Sequence, residues 1–171
     1  MPPNALFRAL GVLRAALLPR RTTPAAPGTL SAPPLPARQS GYAGDFTGAA
    51  AVEYRPDPDG QPDPGEIVWT WVPYEEDHSR GKDRPVLIVG RDGPRLLALM
   101  LTSRDHDGGP GADDYVDIGV GAWDHRRRPS EVRLDRILRI DPAAVRREGA
   151  VLSRPQFELV AGSLRTRHGW H

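Results

Sequence analysis

The sequence predicts a mainly β domain closed by a C-terminal helix, an α+β architecture, and three observations carry that prediction. After residue 65, short runs of strand formers such as EIVWTWV, RPVLIV and RLLALML follow one another between turn signals. A helical stripe of Phe157, Val160, Ala161 and Leu164 stands near the end, behind Ser153 and Gln156 at capping-box spacing. The long stretch before residue 65 is rich in Pro, Ala and Gly and offers little to bury.

In chain order, Leu6, Leu10, Leu13 and Leu17 recur at helical spacing, so residues 1–18 read as a short amphipathic segment. Arg14 interrupts the apolar run and no cleavage site follows, which argues against a secretory signal. Residues 19–64 read as a largely disordered extension, within which Tyr42 to Tyr54 lays one segment against the domain and DPDGQPDP marks the entrance to the fold. The domain proper is expected over 65–171. Glu66 to Val72 alternates as a strand with Ile67, Trp69 and Trp71 on one face, and Pro73 to Asp83 is a charged loop. A strand follows Arg84. Arg95 to Leu101 has a composition open to helix or strand, and its flanking turns select strand. Asp114 to Ile118 and Ser130 to Leu134 are strand candidates, and Arg136 to Ile140 forms another short apolar segment. Asp141-Pro142 opens a short helix to about Arg147.

Composition bounds the function. With 171 residues, 39% of them hydrophobic, and a mean hydropathy of −0.48, the chain is a soluble globular protein with no run long enough to span a bilayer. The absence of cysteine excludes disulfides, thiolate nucleophiles and Cys-based zinc sites, and agrees with a cytoplasmic location. The net charge of +1 is uninformative, but its distribution is not. Acids crowd 44–77, whereas Arg126, Arg127, Arg128, Arg133, Arg136 and Arg139 make the later part basic. Arginine suits forked phosphate contacts better than lysine.

The segment GKDRPVLIV carries the most chemistry. Pro85 removes a backbone donor and biases Arg84 toward an extended conformation, so Arg84 is expected at a strand mouth, at the end of the charged loop. An arginine held there with restricted backbone freedom can present its guanidinium to a phosphate. It could equally form a surface ion pair with Asp83 or a loop acid.

GEIVW, GKDRPVLIV, LTS and EVRLDRILRID, in that order from Gly65 to Leu164, resemble the MazF/PemK/Kid toxins of type II toxin–antitoxin systems. The resemblance implies an SH3-like small β-barrel of the MazF/PemK–CcdB type, usually a homodimer. It also implies a sequence-specific endoribonuclease that acts on single-stranded RNA without metal or cofactor, leaves a 2′,3′-cyclic phosphate, and is held by a cognate antitoxin. Arg84 matches the arginine of the family's Arg-Pro motif, and Thr102 and Ser103 match the threonine and its neighbour after the third strand. Arg133 and Asp135 fall on the Arg-x-Asp pair that serves as acid and base in the Kid/PemK branch, and His78 falls on that branch's loop histidine. The chain departs from the family in its N-terminal extension, in Asp77 and Ser79 to Lys82 where Gly and Gln are usual, and in Arg136 where Gln is common.

The chemistry implied is attack by a 2′-hydroxyl, which needs a base, an acid for the leaving 5′-oxygen, and cations around the phosphorane. Arg133 and Asp135, two apart on a strand, share a face at roughly 6–7 Å along it, a separation suited to flanking one phosphate. Asp135 is then either the base or a carboxylate that orients Arg133. Thr102 either serves the site or bonds the sheet edge, and His78 either moves a proton or is solvated. Ser103, Arg80, Lys82, Arg126, Arg127, Arg128 and Arg136 are expected to contact RNA, as a backbone-binding patch. Asp105-His106-Asp107 and Asp124-His125 read as solvated turns rather than metal ligands. Trp69 and Trp71 could stack bases but fit core positions better. The alternative from another class is a non-catalytic module on the same barrel that binds nucleic acid or, as the CcdB fold does, a protein target.

Overall fold

The computed structural model describes residues 42–171; the amphipathic stretch expected over 1–18 and the linker up to residue 41 lie outside the described residues. The strands are β1 (Glu66–Pro73), β2 (Gly81–Asp92), β3 (Arg95–Thr102), β4 (Tyr115–Gly119), β5 (Ser130–Ile140) and β6 (Arg147–Val151), followed by helix α1 (Arg154–His168). They form one six-stranded antiparallel sheet in the order β4-β5-β3-β2-β1-β6. The sheet curls into a half-barrel, the form taken here by the expected small barrel, and β4 does not pair with β6 among the described residues.

Both faces are apolar because the central strands carry apolar residues at consecutive positions rather than alternating ones. Ile67, Leu87, Val89, Leu97, Leu99, Val132 and Leu134 meet the stripe of α1 on one side, with Phe157, Val160, Ala161 and Leu164 fully buried. Val68, Val86, Ile88, Leu96, Ala98 and Leu138 form a second cluster on the other side. Ser153 caps α1: its Oγ accepts from the Gln156 amide and donates to Gln156 Oε1 at 2.6 Å. Gln156 in turn donates to the Ile118 carbonyl at 2.6 Å, which ties the helix start to β4.

Four expectations change. Gly81 to Asp83 belongs to β2, so Arg84 lies inside a strand, opposite Thr70, rather than at its mouth. Pro85 is tolerated there because β3 begins to pair only at Val86, leaving that side of β2 without a partner. The two segments expected over 130–134 and 136–140 are one strand, β5, with a break in register against β3. The helix expected after Asp141 is a single 3₁₀ turn, Pro142–Ala144, capped by Asp141 Oδ1 on the Ala143 amide. The chain then runs into β6, whose Glu-Gly-Ala centre has little strand propensity and is held by β1.

Residues 42–64 form an extended strap along the domain, within which the segment Tyr42 to Tyr54 lies against it as expected. The strap's Glu53 amide donates to the Val89 carbonyl at 3.0 Å, and Val52 and Ala50 exchange backbone hydrogen bonds with His171. Tyr54 donates to the Leu152 carbonyl at 2.8 Å and its ring leans on Phe157. The anchors are few: Ala50, Phe46, Val52 and Tyr54 among prolines, glycines and acids.

Phe157→Ala is expected to cost about 3–5 kcal/mol, since it empties the centre of the helix-side core. Gly90→Ala should cost about 1–3 kcal/mol by overpacking, because an added methyl would stand 2.5 Å from the Ala51 carbonyl oxygen of the strap. Urea unfolding of the two variants checks both, and an unchanged Gly90→Ala would mean that the strap does not press on β2.

Candidate active site

Where β2, the end of β3 and the β4–β5 loop converge, a cleft of about 300 Å³ opens. Arg84 and Asp83 reach it from β2, Thr102, Ser103 and Arg104 from the end of β3, and Trp123, Asp124, Arg128 and Ser130 from the loop and the start of β5. Trp69 of β1 closes one wall. The fold thus brings together Arg84, Thr102, Ser103 and Arg128, which are far apart in sequence. Among the described residues no carboxylate pairs with Arg84, whereas Asp83 beside it is tied to Arg146 at 3.3 Å. Thr102 Oγ1 accepts from the Arg104 amide at 3.1 Å, turning the chain as it leaves β3.

The loop wall is held by residues the sequence reading passed over. Trp123 is buried and donates from Nε1 to Ser130 Oγ at 3.0 Å. Asp124, read as part of a solvated turn, accepts from Arg128 Nε at 2.6 Å and from the Arg126 amide at 2.9 Å. Burial works to raise the pKa of Asp124, but these bonds outweigh it and hold the carboxyl below the usual range. Arg127 sits at φ 50°, a left-handed conformation that lets three consecutive arginines turn sharply after Asp124. The available signal was a tryptophan standing in an otherwise polar loop directly before Asp124 and the arginines.

Arg133 and Asp135 lie elsewhere. Ser130 of the cleft precedes Arg133 by three residues, about 10 Å along a strand. The separation expected between Arg133 and Asp135 is replaced by contact. Arg133 donates from Nε and Nη2 to both oxygens of Asp135, at 2.5 and 2.7 Å, and from Nη1 to Glu75 at 2.6 Å. The bond to Asp135, reinforced by Glu75 and opposed by burial, raises the pKa of this guanidinium still further. Arg136 is 5% exposed and donates to Asp45 at 3.0 Å and to the Pro73 carbonyl at 2.7 Å. Tyr42, which donates to the same Asp45, is met edge to face at 5.0 Å by His78, exposed on the loop. Arg80 and Lys82 lie over the Tyr74 ring, and Arg126 and Arg127 are exposed on the β4–β5 loop.

His106 is not a free turn residue. Its Nδ1 meets Glu131 at 2.7 Å and its ring stacks on Tyr115 at 3.8 Å. Asp105, Asp107 and Glu131 place carboxylate oxygens within 4.8 Å of one another, so this turn has the donors for a cation although sequence spacing gave no sign of it. Trp69 and Trp71 are half-buried rather than core.

Residues 63–167 match the family model described as PemK-like, MazF-like toxin of type II toxin–antitoxin system. No protein of curated function matches the chain in sequence. Among solved structures it is similar to MazF from Deinococcus radiodurans, with 23% identity, 65% of this chain and 99% of that one covered, and a TM-score of 0.48. A MazE–MazF complex from the same organism gives 24% identity, coverage of 65% and 98%, and a TM-score of 0.48. Mycobacterium tuberculosis toxin MazF-mt6 gives 18% identity, coverage of 62% and 98%, and a TM-score of 0.43. The family match spans more than half of the chain and takes in every strand, the cleft and nearly all of α1, and on that ground the chain belongs to the PemK-like, MazF-like toxins of type II toxin–antitoxin systems.

Proposed function

We propose that the chain is a sequence-specific endoribonuclease that cuts single-stranded RNA by attack of a 2′-hydroxyl on the adjacent phosphorus. The 5′-oxygen leaves with a proton and a 2′,3′-cyclic phosphate remains. The observation that carries this reading is the cleft, where a guanidinium free of carboxylate partners among the described residues, Arg84, faces the Thr102 and Ser103 hydroxyls and Arg128. A phosphate in that cleft would receive a forked cation and neutral donors, the combination that stabilises a phosphorane.

Arg133 contributes charge rather than a proton. Two carboxylates raise a pKa that is already beyond reach at neutral pH, so it can stabilise negative charge but not act as an acid. Asp135 lies outside the cleft and is bonded to Arg133, so it takes the 2′-hydroxyl proton only where the RNA reaches from the cleft to β5 and a phosphate replaces Asp135 on Arg133. His78, exposed on the loop, is the candidate for protonating the leaving oxygen. The RNA partner, a cognate antitoxin and a homodimeric state belong to the same proposal, with a cytoplasmic site of action.

Arg84→Ala is expected to lower cleavage by about 10²-fold or more, as loss of one charge-stabilising donor does, with little change in the thermal midpoint because an unpaired surface cation adds little stability. Chelation by EDTA should leave cleavage of a long RNA intact; activity lost in EDTA and restored by magnesium would move the chemistry to the Asp105–Asp107–Glu131 group.

Asp135→Asn should reduce turnover by about 10²-fold or more while RNA binding is kept or tightened, if it is the base. Cleavage at the wild-type rate would leave it the part of orienting Arg133. Light scattering on the purified chain tests the dimer, and a mass of one chain at micromolar concentration would remove it.

A further inference from the structure

We propose that the surface of β5 from Arg136 to Arg139 is a docking site for an extended acidic peptide, occupied in this chain by its own residues 42–46. These five residues precede the part of the chain matched by the family model, which begins at residue 63. They bind as a peptide ligand does, combining backbone pairing with charge and aromatic contacts. Asp45 forms an antiparallel bridge with Leu138, and the Phe46 amide donates to the Ile137 carbonyl at 2.7 Å. The Asp45 carboxylate accepts from Arg136 at 3.0 Å and its carbonyl accepts from Arg139 at 2.7 Å. Arg139 stacks over the Phe46 ring at 4.9 Å, and the Tyr42 hydroxyl donates back to Asp45.

The surface beneath is built independently of the segment that covers it. Arg136 is held from below by the Pro73 carbonyl, and Arg139 from the side by Asp92 at 2.8 Å. Among the described residues one Arg136 nitrogen, Nη2, is buried with no hydrogen-bond partner, a donor left over for a carboxylate oxygen beyond the one Asp45 supplies. Residues 42–46 are mostly half-buried: Phe46 leans on the helix-side core beside Trp170 and Tyr42 on the second cluster, and their remaining contacts are polar. Gly44, at φ +83° with open space around it, gives the backbone a swivel in the middle of the segment.

Opening of the segment at Gly44 uncovers Arg136 and the Tyr42 side of His78. That consequence for cleavage rests on the RNA reading, but the docking does not. Two measurements on the full chain test it. In native-state hydrogen exchange the Phe46 amide should exchange at least about ten-fold faster than the amides of Val86 to Ile88, and Asp45→Asn should speed Phe46 alone. A Phe46 amide that exchanges only with the central strands would show the segment to be part of the domain and would overturn the proposal. Second, a fluorescein-labelled peptide of residues 41–49 is titrated against the full chain and its Asp45→Ala/Phe46→Ala variant. The variant should bind about ten-fold tighter than the wild type, equivalent to ~1.4 kcal/mol, and a peptide with Ala in place of Asp45 should lose that gain. Equal binding to both chains overturns the proposal; should the double variant fail to fold, exchange in Asp45→Asn decides. Peptide binding by the variant when neither chain cuts RNA would sink the nuclease reading and leave the docking site standing.

Discussion

The register of β5 against β3 is the constraint on which the rest of the candidate site depends. Leu99 faces Ile137 and Leu101 faces Val132, so Met100 alone stands opposite the four residues from Arg133 to Arg136. Those extra residues cannot continue the ladder with β3, and the strand bulges. The bulge lets Leu134 remain in the core while Arg133 turns to Asp135 and to Glu75 of the β1–β2 loop, and Arg136 to Asp45 of the strap and the Pro73 carbonyl. Without it, strict alternation along a strand covered on both faces would bury a guanidinium in one apolar layer or the other. Each guanidinium is instead met by acids: Arg133 by Asp135 and Glu75, Arg136 by Asp45, Arg139 by Asp92.

That pairing reshapes the electrostatics suggested by the count of arginines. A continuous cationic groove from Arg84 through Arg126–Arg128 to Arg133 would attract any polyanion, but Arg128 and Arg133 within it are already neutralised by acids of the chain. Arg128 is spent on Asp124, and the β5 arginines on acids from the strap, the β1–β2 loop and the end of β2. Positive potential is therefore concentrated in the cleft, at Arg84 and Arg104, and on the exposed Arg126 and Arg127. A site organised this way discriminates by geometry more than by net charge, because an incoming phosphate must fit the cleft or displace a bonded carboxylate. The crowd of acids over 44–77 thus has a structural reason: Asp45 and Glu75 belong to it, and both are seated on β5 arginines.

What the sequence determined by itself is the succession of strand segments from β1 to β5 and the capped terminal helix. These follow from local rules: β-branched runs between turns, and Ser153 ahead of Gln156. Tertiary structure alone decided the rest. β6 has no strand signal of its own and exists because β1 offers an unpaired edge. Trp123 and Asp124 join the site because a buried indole bonded to Ser130 pins their loop against β5. The strap holds because a few side chains at wide spacing find the core, which composition averages away. Arg133 and Asp135 were read two apart on a regular strand; the bulge changed their directions and joined them. Periodicity gives the face of a residue only where the ladder is regular, and at this site it is not.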